Sequence, residues 1–162
     1  MTAGGNEARQ LPPVEGWNPA FCGDSNMRIA RDGRWFHDGA PIVRPELVRL
    51  FAGILRLDPE GYMLVTPAEK LSITVEDVPF LAVAVDVRGG DLVFTTNVGD
   101  QVMLDDGHAL RMSDGVPYLH VRRGLEARIA RPVYYELAEM AVAQDGALGV
   151  WSGGRFFALG DA

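Results

Sequence analysis

The sequence predicts an α+β fold made by internal duplication of a ββαββ unit, a hairpin, a helix and a hairpin. Three observations carry that prediction. An Arg-Pro step followed by apolar residues occurs twice, in IVRPELVRLFAG from Ile42 and in IARPVYYELAEM from Ile129. The residues behind the two steps keep one offset of 87 positions, Leu47 matching Tyr134, Leu50 matching Leu137 and Phe51 matching Ala138. Turn residues and short β-branched or aromatic runs flank both helices in the same order. An offset kept across several elements marks a repeated supersecondary unit.

Residues 1–26, rich in Gly, Pro and Asn, are expected to form an extended tail, the first ten without order. Trp17 and Phe21 are expected to pin the remainder to the body. The first domain is placed at 27–77. Asp32-Gly33 and Asp38-Gly39 read as turns, because Gly adopts positive φ without a Cβ clash, and strands are predicted at 27–31, 34–37 and 40–43. Pro45 suits the first position of a helix, where no amide hydrogen is lost. Leu47, Leu50, Phe51, Ile54 and Leu55 form its apolar stripe, and the Asp58–Gly61 turn is expected to end it. YMLVT and KLSITV then read as a hairpin.

The second, larger domain is placed at 78–162. FLAVAVDV, DLVFTTN, QVMLD and HALRM are predicted strands, the first so continuously apolar that it reads as covered on both faces. PYLHV and LEARIA flank Arg123-Gly124 as a hairpin. A helix from Pro132 carries Tyr134, Leu137, Ala138, Ala141 and Val142, with Asp145-Gly146 closing it. ALGVW and RFFAL make the last hairpin. The predicted result is a strongly bent antiparallel sheet ending in a helix and a hairpin, so the class is α+β.

A chain of 162 residues with 48% apolar and 23% charged side chains is an ordinary globular composition. Folding at this length buries roughly 70% of the unfolded surface, enough for a core without disulfides. The net charge of −7 disfavours nonspecific nucleic-acid binding and anionic membrane surfaces. Fourteen arginines stand against one lysine, Lys70. A GC-rich genome accounts for that bias, while bidentate recognition of an oxyanion would use it. Cys22 is alone and no secretory or membrane-spanning run is recognised, so a cytoplasmic setting is expected.

No phosphate-binding loop, nucleophile elbow, HExxH, paired CxxC or GxGxxG is present, so no cofactor and no metal are expected. The Asp105–His108 run reads as a solvated turn, since consecutive side chains diverge there. His120 reads as a satisfied strand histidine rather than a general base. The segment from Tyr118 to Arg131 is the richest in candidates, with Arg122, Arg123, Arg128 and Arg131. If Arg122 and Arg128 face each other across the Gly124 turn, an anion or an acidic side chain is required between them. Arg44 and Arg131 are equivalent by the duplication, each preceding helix amides that could meet an oxyanion. Glu69-Lys70 offers a salt bridge with its neighbours, and Thr95–Asn97 offers hydrogen-bonding groups at a strand end.

WNP, RDGRWFHDGAPIVRPELVRLF, LVTPAEKLSITVEDVPF, FTTNVGD, PYLHVRRGLEARIARPVYYEL and WSGGRFFALG together resemble the proteobacterial family called domain of unknown function 1285. The resemblance covers nearly everything after the first fifteen residues. It implies a duplicated core, a second half superficially like a pleckstrin-homology fold, and a ligand surface between the halves with a role in signalling. The residues it picks out are Trp35, Arg44, Thr66, Glu69, Lys70, Asn97, Tyr118, Arg122, Arg128 and Arg131.

The first functional reading is therefore a regulatory or sensor module binding a small anionic, nucleotide-like ligand between its halves. Arg122, Arg128 and Arg131 would neutralise the anion, Trp35 and Tyr118 would stack, and Asn97 and Thr66 would direct hydrogen bonds. The alternative is a protein-interaction module using a free sheet edge or an apolar patch. An enzyme is the third reading and lacks a recognisable base, nucleophile and metal set. A homodimer is the expectation from symmetry preferences alone.

Overall fold

Six two-residue turns set the strand plan. Asp38-Gly39, Gly89-Gly90, Asp114-Gly115, Arg123-Gly124, Asp145-Gly146 and Gly153-Gly154 each place two successive residues at positive φ, the turn whose twist matches that of paired strands. Glycine is needed at the second position because a Cβ there would clash with the backbone. The computed structural model describes residues 11–161; the expected disorder of the first ten residues lies outside that range.

The first half contains β1 (Phe21–Ile29), β2 (Trp35–His37), β3 (Ala40–Pro41), α1 (Pro45–Gly53), β4 (Leu55–Asp58), β5 (Gly61–Val65) and β6 (Lys70–Val75). These strands form one sheet in the order β3-β2-β1-β6-β5-β4, antiparallel except for the parallel β1–β6 pair. Next come β7 (Phe80–Arg88), β8 (Asp91–Thr96) and β9 (Gln101–Met103). The second copy follows as β10 (Leu110–Ser113), β11 (Val116–Arg122), β12 (Leu125–Ile129), α2 (Arg131–Met140), β13 (Val142–Gln144), β14 (Ala147–Ser152) and β15 (Arg155–Asp161). A second sheet runs β10-β11-β12-β7-β8-β9, and β13-β14-β15 form a third.

The duplicated unit is thus three strands, a helix and three strands, one strand longer on each side than the predicted ββαββ. In the first copy the two meanders join through the parallel β1–β6 pair. In the second they do not pair, and β12 pairs instead with the intervening β7. The α+β class and the duplicated core stand.

Several predicted boundaries move. Both helices stop early, α1 at Gly53 and α2 at Met140, and Leu55 and Val142 belong to the strands that follow. The Asp58–Gly61 and Asp145-Gly146 turns are hairpin turns rather than helix stops. Helical spacing ran on because each following strand opens with an apolar residue that falls on the same period. β1 begins at Phe21, inside the stretch expected to be tail. Phe21 itself is 57% exposed; the N-terminal segment is held by buried Val14 in a single 3-10 turn and by Arg56, which donates to the carbonyls of Val14 and Trp17 at 2.7 Å. Strand β7 is not covered on both faces, since Val83 and Val87 reach solvent.

One hydrophobic core runs through both halves, from Met27, Ile29 and Trp35 to Phe80, Phe94, Leu125 and Leu137. Among the described residues no helix is long and apolar enough to cross a membrane.

Candidate functional site

The seam between the halves is closed by four sets of polar contacts, and two of the four arginines of the arginine-rich stretch, Arg122 and Arg128, are engaged there. The Tyr118 hydroxyl donates to Asp77 at 3.0 Å. Burial, then the Asp77 hydrogen bond, pushes the Tyr118 hydroxyl above its usual pKa. Arg128 lies 3.7 Å from the same carboxylate and donates to the Arg31 carbonyl at 2.7 Å. Arg122 pairs with Asp100 at 3.1 Å, with both side chains largely buried, and reaches the Ala52 carbonyl at 3.4 Å. That places a cation against the negative end of α1. Asn97 clasps the two halves: its Oδ1 accepts from the Leu81 amide and its Nδ2 donates to the Gly33 carbonyl at 3.1 Å. Gly33 has φ +91, and a Cβ there would fall 3.0 Å from the Asn97 amide nitrogen.

Strand register corrects one expectation directly. Arg128 sits opposite Tyr118 and Arg122 sits opposite Leu125, so Arg122 and Arg128 do not face each other across the Gly124 turn. Across from Tyr118 on its other side stands Arg111, whose guanidinium lies 4.5 Å from the Tyr118 ring and pairs bidentately with Glu126.

Beside this seam, β12 runs into α2. Gly115, Val116, Pro117, Arg128, Ile129, Arg131, Tyr134 and Tyr135 line a cleft of about 470 Å3 there. Helix α2 begins at Arg131 with Pro132 in its first turn, and no side chain caps it. Arg131 is exposed, and no hydrogen bond or ion pair is formed by its guanidinium among the described residues. Tyr135 is 59% exposed. The cleft therefore combines a positive helix end, two guanidinium groups and two phenol rings. That combination can hold a planar or phosphorylated anion carrying a stackable ring.

Trp35 is 2% exposed and belongs to the core, so its ring offers no stacking surface. Arg44 precedes α1 without capping it through its side chain, distant in the chain from the second-copy cleft. Thr66 organises its own turn, accepting from the amides of Ala68 and Glu69. Lys70 pairs with Asp58 at 3.1 Å rather than with Glu69. Thr66 and Glu69 both line a second cleft, of about 430 Å3, between α1 and the sheet of the first half. Eight of the ten predicted residues thus divide among the core, the seam and two separate clefts, and Arg44 and Lys70 lie in none of these.

The histidines do not form a metal site: among the described residues no group of three His, Cys, Asp or Glu side chains is placed to hold a metal. His120 Nδ1 lies 2.9 Å from the Gly107 carbonyl, and the Gly124 amide donates to His120 Nε2 at 2.9 Å. With one nitrogen facing an acceptor and the other a donor, the ring is a neutral strut between two turns.

Sequence reasoning missed Asp77, Tyr135 and the Arg56–Asp58 pair. Asp77 lies in the link between the halves, where only the fold brings it to Tyr118 and Arg128. Arg56 lies on a strand read as helix tail, so its burial was hidden. Tyr135 was visible only as the residue beside the helix stripe.

Comparison with known proteins agrees with the two-part organisation. Residues 12–78 match the N-terminal domain of the family described as domain of unknown function DUF1285, and residues 79–159 match its C-terminal domain. A crystal structure of a DUF1285 family protein from Silicibacter pomeroyi DSS-3 is 44% identical with a TM-score of 0.88, covering 96% of this chain and 91% of that one. Another, from Shewanella baltica OS155, is 28% identical with a TM-score of 0.60, covering 70% of this chain and 90% of that one. No curated protein matches. With both domains of the family following one another along nearly the whole chain, the protein belongs to the DUF1285 family.

Proposed function

We propose that the protein is a cytoplasmic regulatory module that binds a small anionic, nucleotide-like ligand in the cleft where β12 enters α2. The observation that carries this reading is the pairing of Arg128 and Arg131 with Tyr134 and Tyr135 around one cleft of about 470 Å3. That volume suits a drug-sized ligand. Arg131 is the side chain with charge to spare, while Arg128 ties the cleft to Arg31 in the other half. A ligand held there reports to the seam, which is what a sensor requires. The lone exposed thiol of Cys22 fits a reducing compartment. Turnover is not part of the proposal, because the cleft offers no base or nucleophile beside the anion-binding groups.

Binding of fluorescent nucleotides, followed by anisotropy, tests the reading. Arg131→Glu should weaken binding by at least tenfold, the loss of about 1.4 kcal/mol, and added salt should weaken the native protein's binding. Unchanged affinity in Arg131→Glu would move the site elsewhere.

A protein-interaction role is the second reading, favoured by one specific surface. Val142 and Trp151, 45% and 46% exposed, lie on one face of the three-stranded sheet, Trp151 meets Phe156 edge to face at 5.4 Å, and β13 leaves an unpaired edge. If this surface recruits a partner or a second copy, Trp151→Glu abolishes the association seen in sedimentation; a monomer unaffected by that change and without partners removes the reading.

A further inference from the structure

The two helices occupy equivalent places in the duplicated unit but cover their sheets very differently. In the second copy Val133 and Leu137 are 1% and 0% exposed, so α2 is seated on its sheet. In the first copy Leu50, the counterpart of Leu137, is 61% exposed, and only Ala52 and Gly53 of α1 are buried. The space left between α1 and the sheet is the cleft of about 430 Å3 already described. Its wall is apolar: Met27, Ile42, Phe51, Ile54, Leu64 and Leu71.

The polar groups of that cleft are few. Ser25, His37, Thr66 and Glu69 are the only polar side chains lining it, and no Lys or Arg does so. The Ser25 and Thr66 hydroxyl oxygens already accept from backbone amides. The Glu69 carboxylate forms no ion pair or hydrogen bond among the described residues, and neighbouring Lys70 is turned away to Asp58 at 3.1 Å. His37 already faces the Asp38 carboxylate at 3.6 Å, so the fixed charge left to the cleft is the exposed Glu69 carboxylate at the rim of an apolar chamber. A carboxylate or phosphate head would meet that charge with repulsion, whereas an ammonium head would neutralise it while its apolar body displaced water from the wall.

We infer that the first half holds a second binding site, for an amphipathic amine: an aromatic or aliphatic body enclosed between α1 and the sheet, with its ammonium group on Glu69. The volume accommodates a bicyclic ring with a short side arm. The site is separate from the anion cleft in the other half and takes a ligand of opposite charge.

The test uses two probes with one indole body and opposite charges, tryptamine and indole-3-propionate, titrated into the full chain and followed by amide chemical-shift mapping. Tryptamine should shift the amides of Met27, Thr66 and Glu69. It should bind at least tenfold more tightly than indole-3-propionate, and Glu69→Gln should remove most of that difference. Leu47→Trp, made at a half-exposed position of the cleft wall, should block both probes while leaving the remaining spectrum native. The inference is overturned if neither probe shifts those amides at millimolar concentration, if the acid binds as well as the amine, or if the shifts fall around Arg131 and Tyr135. Failure of nucleotide binding at Arg131 would leave these outcomes untouched.

Discussion

Arg56 is the clearest case of one side chain holding separate parts of the chain together. It is 8% exposed, pairs with Asp58 through two hydrogen bonds and donates to the carbonyls of Val14 and Trp17. Arg56→Met removes a donor from the Trp17 and Val14 carbonyls and leaves Asp58 with Lys70 alone, so a loss of about 3 kcal/mol is expected in urea denaturation. Faster proteolysis near Val14 should accompany it. The Asp58 carboxyl is held below its ordinary value of 3.8, first by the hydrogen bond from Arg56, against burial, which pushes it up, and with help from Lys70. A depressed carboxyl contributes stability that is fully present above the unfolded value and is lost as pH falls through the folded one. The native protein should therefore lose this contribution below about pH 4, and Asp58→Asn should show a shallower acid limb when unfolding is followed against pH. An equally steep limb in the variant would contradict the assignment. None of this was legible at Arg56, because an Arg on an assumed helix tail reads as solvated; only strand β4 turns it inward.

At the level of elements, the repeat was legible and the helix ends were not. Arg44-Pro45 and Arg131-Pro132 mark both helix starts correctly, since proline suits the first turn. Leu55 and Val142 misled at the other end because an apolar residue that opens a strand also fits helical spacing. Equivalence in sequence also did not mean equivalence in burial. Leu50 and Leu137 hold the same place in the repeat, yet one is 61% exposed and the other fully buried. Leu137→Ala should cost about 2–5 kcal/mol through lost burial and a residual cavity, while Leu50→Ala should stay within about 0.5 kcal/mol. Similar losses for the two, measured by chemical denaturation, would mean that α1 is seated as closely as α2. The candidate site divides in the same way. Arg128 and Arg131 were visible as a cluster of like charge, but the pairing of Arg122 with Asp100 and of Arg128 with Asp77 depends on contacts far apart in the chain.

For the whole molecule, a shared core and a polar seam bind two copies of one unit into a single body. Unfolding should be one cooperative transition, with circular dichroism and tryptophan fluorescence coincident. Asn97→Ala removes the clasp from Leu81 and Gly33 and should cost about 1 kcal/mol. It should also raise hydrogen exchange at the Leu81 amide first. Two separated transitions in the native protein would show that the halves are stabilised independently. The duplication supplies two helix starts with an arginine at each, but only the second combines that charge with Arg128 and two tyrosines in one cleft. The central claim is that this cleft takes a nucleotide-like anion. Its most direct test is a thermal-shift series of the native protein and Arg131→Glu against nucleotides, cyclic dinucleotides and inorganic phosphate. A ligand at a hundredfold excess over its dissociation constant should add about 2.7 kcal/mol of stability, and the variant should lose that gain. A melting point unmoved by every anion, or raised equally in Arg131→Glu, would contradict the claim.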